Sequence, residues 1–89
     1  MNALQPLLKC LSRKKALNVL NLLVKREMKF NDLVREVGAA SEISRILKDF
    51  QKQSLVKKRE LKDHLGTVMY ALTDRGYKIK SILDQMGKS

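Results

Sequence analysis

Ser41 to Ser54, SEISRILKDFQKQS, is the stretch on which the fold turns. Ile43, Ile46, Leu47 and Phe50 recur on a 3.6-residue period, so as a helix this segment points one apolar face at a core. At about 100° per residue, Ser41, Arg45, Lys48 and Lys52 fall on the opposite side. Ser44 lies beside them, and Glu42 and Asp49 share one flank. The outward face is therefore short, polar and basic. Such a face suits the major groove of duplex DNA, where arginine, lysine and hydroxyl side chains meet base edges and phosphate oxygens. It also suits a plain solvated surface, with Arg45 paired to Asp49 one turn on. The neighbouring sequence tips the choice.

Upstream, Asn31 has the chemistry of a cap for a helix DLVREVG, whose Leu33, Val34 and Val37 face inward and which Gly38 ends. Two residues separate Gly38 from Ser41, the expected cap of the opening helix. Two helices joined by so short a glycine-containing turn make a helix-turn-helix, whose second member enters the groove. Before it, Ser12 is the expected cap of a helix running to about Glu27. Its Leu17, Leu20, Leu23 and Val24 make a main stripe, with Val19 and Leu22 pointing nearly the other way, the pattern of a helix sandwiched between partners. Arg13, Lys14 and Lys15 in its first turn oppose the helix dipole, so a role outside helix stability is expected for them. At the amino end, Asn2 caps a short helix with Leu4, Leu7, Leu8 and Leu11 on one stripe, and Pro6 fits only in its first turn. Cys10, beside that stripe, reads as a small semi-buried filler.

Downstream the period changes. Leu55 to Leu61 and Thr67 to Thr73 read as two short strands, and residues 62–66 as the hairpin loop between them. Three helices followed by a basic hairpin is the winged-helix order. Lys57, Lys58, Arg59 and Lys62 lie where a wing reaches the sugar-phosphate backbone. Thr73 then caps a last helix with Ile79, Ile82, Leu83 and Met86 on one stripe. The two terminal stripes lie beyond the three-helix centre, and a symmetric dimer would cover both.

The whole chain agrees with a basic partner-binding domain. Its 89 residues allow one small domain, and 19 Lys and Arg against 9 Asp and Glu leave a net charge of +10. That excess favours a polyanion, which gives up counterions on binding. No apolar run is long enough for a membrane span, and no export pattern opens the chain, so a cytoplasmic, nucleoid-associated protein is expected. One cysteine and one histidine cannot build a metal cluster. No cofactor or small-molecule ligand is indicated, and no glycine-rich phosphate loop or nucleophile motif suggests an enzyme. With two tyrosines and no tryptophan, stacking on single strands is disfavoured.

Two local patterns add a family. Ser44-Arg45-Ile46-Leu47-Lys48 with the later Leu55-Val56 is similar to a recognition-helix pattern S-R-x-L-K followed by G-L-V. Tyr70-x-Leu72-Thr73-x-x-Gly76 is similar to a strand-to-helix pattern Y-x-L-T-x-x-G, and Met28 to Leu33 to R-F-x-E-L. From Lys14 to Leu83 the chain thus resembles the winged helix-turn-helix transcription regulators of the ArsR, MarR and HxlR type. The resemblance implies Ser41, Ser44, Arg45 and Lys48 as the groove-reading set, with Lys52 on phosphate. It implies Lys57, Lys58, Arg59, Lys62 and His64 as the wing, and Arg13, Lys14 and Lys15 as a backbone contact. Ser54 departs from the pattern's glycine and Ala40 from its polar groove contact, and nothing matches the paired-cysteine metal site of metal-sensing members.

The expectation is a mainly α chain with a small β-hairpin, a winged helix-turn-helix with added terminal helices. Residues 1–11 form the N-terminal helix, 12–73 the winged-helix core and 74–87 the dimerisation helix. Leu4, Leu7, Leu8, Leu11, Ile79, Ile82, Leu83 and Met86 would join two copies. The expected function is a sequence-preferring, homodimeric repressor on double-stranded DNA. A non-specific architectural DNA-binding protein and a winged-helix protein-interaction module remain as alternatives.

Overall fold

The apolar face of the Ser41 segment is the centre of the molecule: Ile43, Ile46 and Phe50 are 0% exposed and Leu47 2%. The computed structural model describes residues 4–63 and 65–87, with the backbone alone for Leu4 and Gln5. The elements run α1 (Leu4–Leu11), α2 (Ala16–Lys25), α3 (Phe30–Val37), α4 (Ala40–Lys52), β1 (Val56–Glu60), β2 (Val68–Leu72) and α5 (Asp74–Gly87). Around α4 close Val19, Leu20 and Leu23 of α2, Leu33 of α3, and Leu55, Val56 and Leu72 at the base of the hairpin. The expected double-sided burial of α2 is present, since it packs against α1, α3, α4, α5 and β2. Leu17 departs from its stripe and stands 47% exposed. The fold is mainly helical with one antiparallel hairpin, a winged helix-turn-helix.

Three helix starts differ from the expected caps. α2 begins at Ala16, after a turn over 12–15, so Arg13, Lys14 and Lys15 precede the helix and do not oppose its dipole from within. Ser12 instead closes the end of α1, its Oγ donating to the Lys9 carbonyl at 2.8 Å. α3 begins at Phe30, one residue before Asn31. α4 begins at Ala40, because Gly38 (φ 86°, ψ −178°) and Ala39 (φ 56°, ψ 70°) turn the chain through two positive-φ positions. A capping side chain needs extended backbone at its own position, and Ala39 supplies neither that backbone nor an oxygen. Asn2 and its expected cap lie outside the described residues.

The end of α4 shows how a serine does a glycine's work. The Leu55 amide donates to the Phe50 carbonyl at 2.8 Å and the Ser54 amide to the Gln51 carbonyl at 3.0 Å. That pair of bonds is a Schellman closure, with buried Leu55 meeting buried Phe50 across it. The motif puts Ser54 at φ 59°, left-handed backbone that costs a non-glycine residue about 1–2 kcal/mol. Ser54→Gly should therefore raise stability by about 0.5–1 kcal/mol after glycine's larger unfolded-state entropy is subtracted. Urea unfolding checks this, and a lowered midpoint would show that the serine side chain stabilises the corner.

The hairpin is a ladder with Val56 opposite Leu72, Lys57 opposite Ala71, Lys58 opposite Tyr70, Arg59 opposite Met69 and Glu60 opposite Val68. Met28 adds a third, single-residue strand on the far side of β2, exchanging bonds of 3.0 and 2.8 Å with Tyr70. The hairpin is thus attached to the link that leads into α3. Thr73 caps α5 as expected: its Oγ accepts from the Gly76 amide at 3.1 Å.

Cys10 is a filler, as its position suggested, but more deeply placed than the expected half-burial: it is 4% exposed and part of the core cluster. Burial first, then the Asp49 carboxylate, pushes its thiol up to about 11, with Arg13 opposing. The sign follows: a raised folded-state pKa stabilises fully below the ordinary value of 9.0 and is lost as pH climbs from there toward 11. Over that window the wild type should lose more stability than Cys10→Ala, in paired urea titrations. At about pH 8 the folded thiol should resist iodoacetamide. Equal slopes for both proteins would contradict the burial account.

Candidate nucleic-acid interface

The outward face of α4 is open. Ser41, Arg45, Lys48 and Lys52 are exposed and Ser44 is half-buried. The side chains of Arg45, Lys48 and Lys52 make no hydrogen bond or ion pair with other described residues. The expected pairing of Arg45 with Asp49 does not form. Asp49 is taken by Arg13, whose Nε lies 2.8 Å from Oδ2, both side chains about one-third exposed. Arg13 thereby neutralises an acid on the flank of α4, leaving the positive potential of the outward face less opposed. Arg13, Ser41, Glu42 and Arg45 line one polar cleft at the start of the helix.

The rest of the basic run divides. Lys15 Nζ donates to the Val37 carbonyl at 3.2 Å, where a cation favours the end of α3 and braces the turn into α4. Lys14 alone of the three is exposed with no partner among the described residues. Two of the three cations are therefore spent in fixing α3 and α4, which a composition-based reading of the run could not reveal.

The wing is likewise uneven. Lys57, Lys58 and Lys62 are exposed, but Lys57 and Lys58 are successive strand residues and so face opposite sides of the hairpin. Arg59 is committed: its Nε and Nη2 donate to the two Glu27 carboxylate oxygens at 2.7 and 2.6 Å. That bond holds the Glu27 carboxyl below the usual carboxylate range. At the tip, the Thr67 amide and hydroxyl donate to Asp63 at 3.1 and 2.7 Å, and Gly66 takes φ 64°. These hydroxyl and amide donors lower the Asp63 pKa and close the loop. His64 lies outside the described residues.

Of the side chains expected between two copies, Leu7 is 6% exposed and belongs to the chain's own core, a correction to its place on an outer ridge. Leu11, Ile79 and Leu83 pack partly against that core. Leu8, Ile82 and Met86 stand outward at 59%, 52% and 66% exposure. The side chain of Leu4 lies outside the described residues. No helix among the described residues is long and apolar enough to cross a membrane, and they contain no group of three or more His, Cys, Asp or Glu able to hold a metal.

Comparison with known proteins agrees with this geometry. Residues 10–89 match the HxlR-like helix-turn-helix family. An uncharacterized HTH-type transcriptional regulator of Methanocaldococcus jannaschii is 35% identical over 81 residues, which span 88% of this chain and 76% of that protein. Among solved structures, the reduced form of the transcriptional regulator YodB from B. subtilis superposes with a TM-score of 0.85 at 15% identity, covering 99% of this chain and 89% of its own. "A possible HxlR family transcriptional factor" from Thermoplasma volcanium gives 0.79 at 22% identity, covering 99% and 81%. At these identities the structures speak for the fold alone, while the family match covers nearly the entire chain. The chain belongs to the HxlR-like helix-turn-helix family, and it is a DNA-binding transcriptional regulator of helix-turn-helix type, not an enzyme.

Proposed function

We propose that the chain is a homodimeric repressor of the cytoplasm that occupies a palindromic duplex, with α4 in the major groove and the β1–β2 wing on the flanking backbone. The observation that carries this reading is the free, exposed face of Ser41, Arg45, Lys48 and Lys52 on a helix whose other side is the core. Ser41, Ser44, Arg45 and Lys48 read the groove. Lys52, Lys57, Lys58, Lys62 and Lys14 meet phosphate. In this reading residues 12–73 carry the DNA contact, while Leu8 on α1 and Ile82 and Met86 on α5, exposed large apolar side chains, meet the second copy. A two-fold dimer of this kind places its recognition helices about 34 Å apart, one helical turn of DNA.

Selection of bound duplexes from a random pool tests the reading. It should enrich inverted repeats whose half-sites are centred about 10 base pairs apart. Retention of the pool without enrichment would instead identify an architectural DNA coat, and failure to retain any duplex would favour a protein-interaction module.

A further inference from the structure

The Glu27–Arg59 pair has an arrangement that a surface ion pair does not require. The sheet order is β1, β2 and then Met28, so Arg59 on β1 and Glu27 beside Met28 stand on opposite sides of β2. Their two hydrogen bonds, 2.7 and 2.6 Å, therefore span the middle strand and tie the outer strand of the wing to the link entering α3. Single exposed ion pairs hold little, but a two-pronged guanidinium–carboxylate contact fixes orientation as well as distance. The backbone bonds of the ladder fix the wing's register. They leave its twist relative to α3 and α4 soft, since two-stranded ribbons vary widely in twist.

We propose that Glu27 and Arg59 form a latch that sets the wing's angle to α4, making both of them positioning residues for DNA binding and taking Arg59 off the phosphate-contacting set. The proposal rests on the DNA-binding reading above. Its consequence runs against simple electrostatics. Removing an acid from a +10 protein ordinarily strengthens its hold on DNA, because repulsion of phosphate falls. The latch requires the reverse for Glu27. Without it the wing swings, and Lys57, Lys58 and Lys62 lose their fixed approach to the backbone.

The test measures duplex affinity and its salt slope for the wild type, Glu27→Gln, Arg59→Gln, the double variant, and the charge swap Glu27→Arg with Arg59→Glu. Glu27→Gln and Arg59→Gln should each weaken binding about tenfold, through one or two lost phosphate contacts per protomer, and should make the salt slope shallower. The double variant should be no worse than either single, and the swap should recover most of the loss. Hydrogen exchange should show faster wing amides in both single variants with no DNA present. Tighter binding and a steeper slope for Glu27→Gln would show that Glu27 merely restrains a phosphate-contacting Arg59 and would overturn the latch. Failure of the swap to rescue would do the same. Should the wild type retain no duplex while the exchange result holds, the DNA reading fails and the latch's role in binding falls with it. Unchanged exchange with wild-type binding intact would overturn the latch alone.

Discussion

Raising the salt concentration from about 50 to 200 mM should weaken duplex binding by about 10³- to 10⁵-fold if a dimer neutralises six to ten phosphates. The range follows from counting free cations. Each protomer offers Lys14, Lys52, Lys57, Lys58 and Lys62, all exposed and none in a hydrogen bond or close ion pair among the described residues. Arg13, Lys15 and Arg59 do not enter the count, because Asp49, the Val37 carbonyl and Glu27 hold them. Not every lysine has to meet a phosphate for the lower bound to be reached. A fall of less than about tenfold would mean at most one or two phosphates neutralised, and the basic faces of α4 and the wing would then serve another purpose.

Gly76→Ala should cost about 3 kcal/mol or more, close to the upper range for a single added methyl group. A Cβ at this position would sit 2.3 Å from the Leu55 carbonyl oxygen and 3.1 Å from Leu72 Cδ2. The first of these neighbours is backbone and cannot rotate away. It is also committed, since the Leu55 carbonyl accepts from the Thr73 amide at 3.0 Å. Thr73 in turn donates its hydroxyl to the Ser54 carbonyl and accepts from the Gly76 amide. Relief of the clash would therefore pull apart the seam between the end of α4, the hairpin and the first turn of α5. In a domain of this size such a loss lowers the melting temperature by about 12–24 °C. Thermal unfolding followed by circular dichroism reads it directly, and a shift of only a few degrees would show that α5 can move aside cheaply.

The same seam shows how far sequence carries. The pattern Tyr70-x-Leu72-Thr73-x-x-Gly76 marked the strand-to-helix passage correctly, and Thr73 was legible as a cap from local chemistry alone. The reason for glycine at 76 was not legible, because it lies in a contact with Leu55, far away in the chain. The inward face of α4 was readable, but its cap was not. Four apolar residues at helical spacing constrain one another, whereas a start position depends on how Gly38 and Ala39 turn the backbone. The two ion pairs that shape the interface fell on the unreadable side. Arg45 and Asp49 are one turn apart, yet Asp49 goes to Arg13, and Arg59 goes to Glu27. Both partners are brought in by packing of elements more than thirty residues distant. The charge of the chain predicted a polyanionic partner, but which cations remain free for it is decided by these tertiary pairings.

In the proposed complex the outward face of α4 reads base edges while the wing holds the backbone. Arg45→Ala and Lys58→Ala, each measured on a selected duplex and on a scrambled one of equal length, separate the two roles. Arg45→Ala should lose about 1–3 kcal/mol on the selected duplex and far less on the scrambled one, the signature of a lost guanine contact. Lys58→Ala should weaken both duplexes alike. Equal losses on the two duplexes for Arg45→Ala would contradict the account.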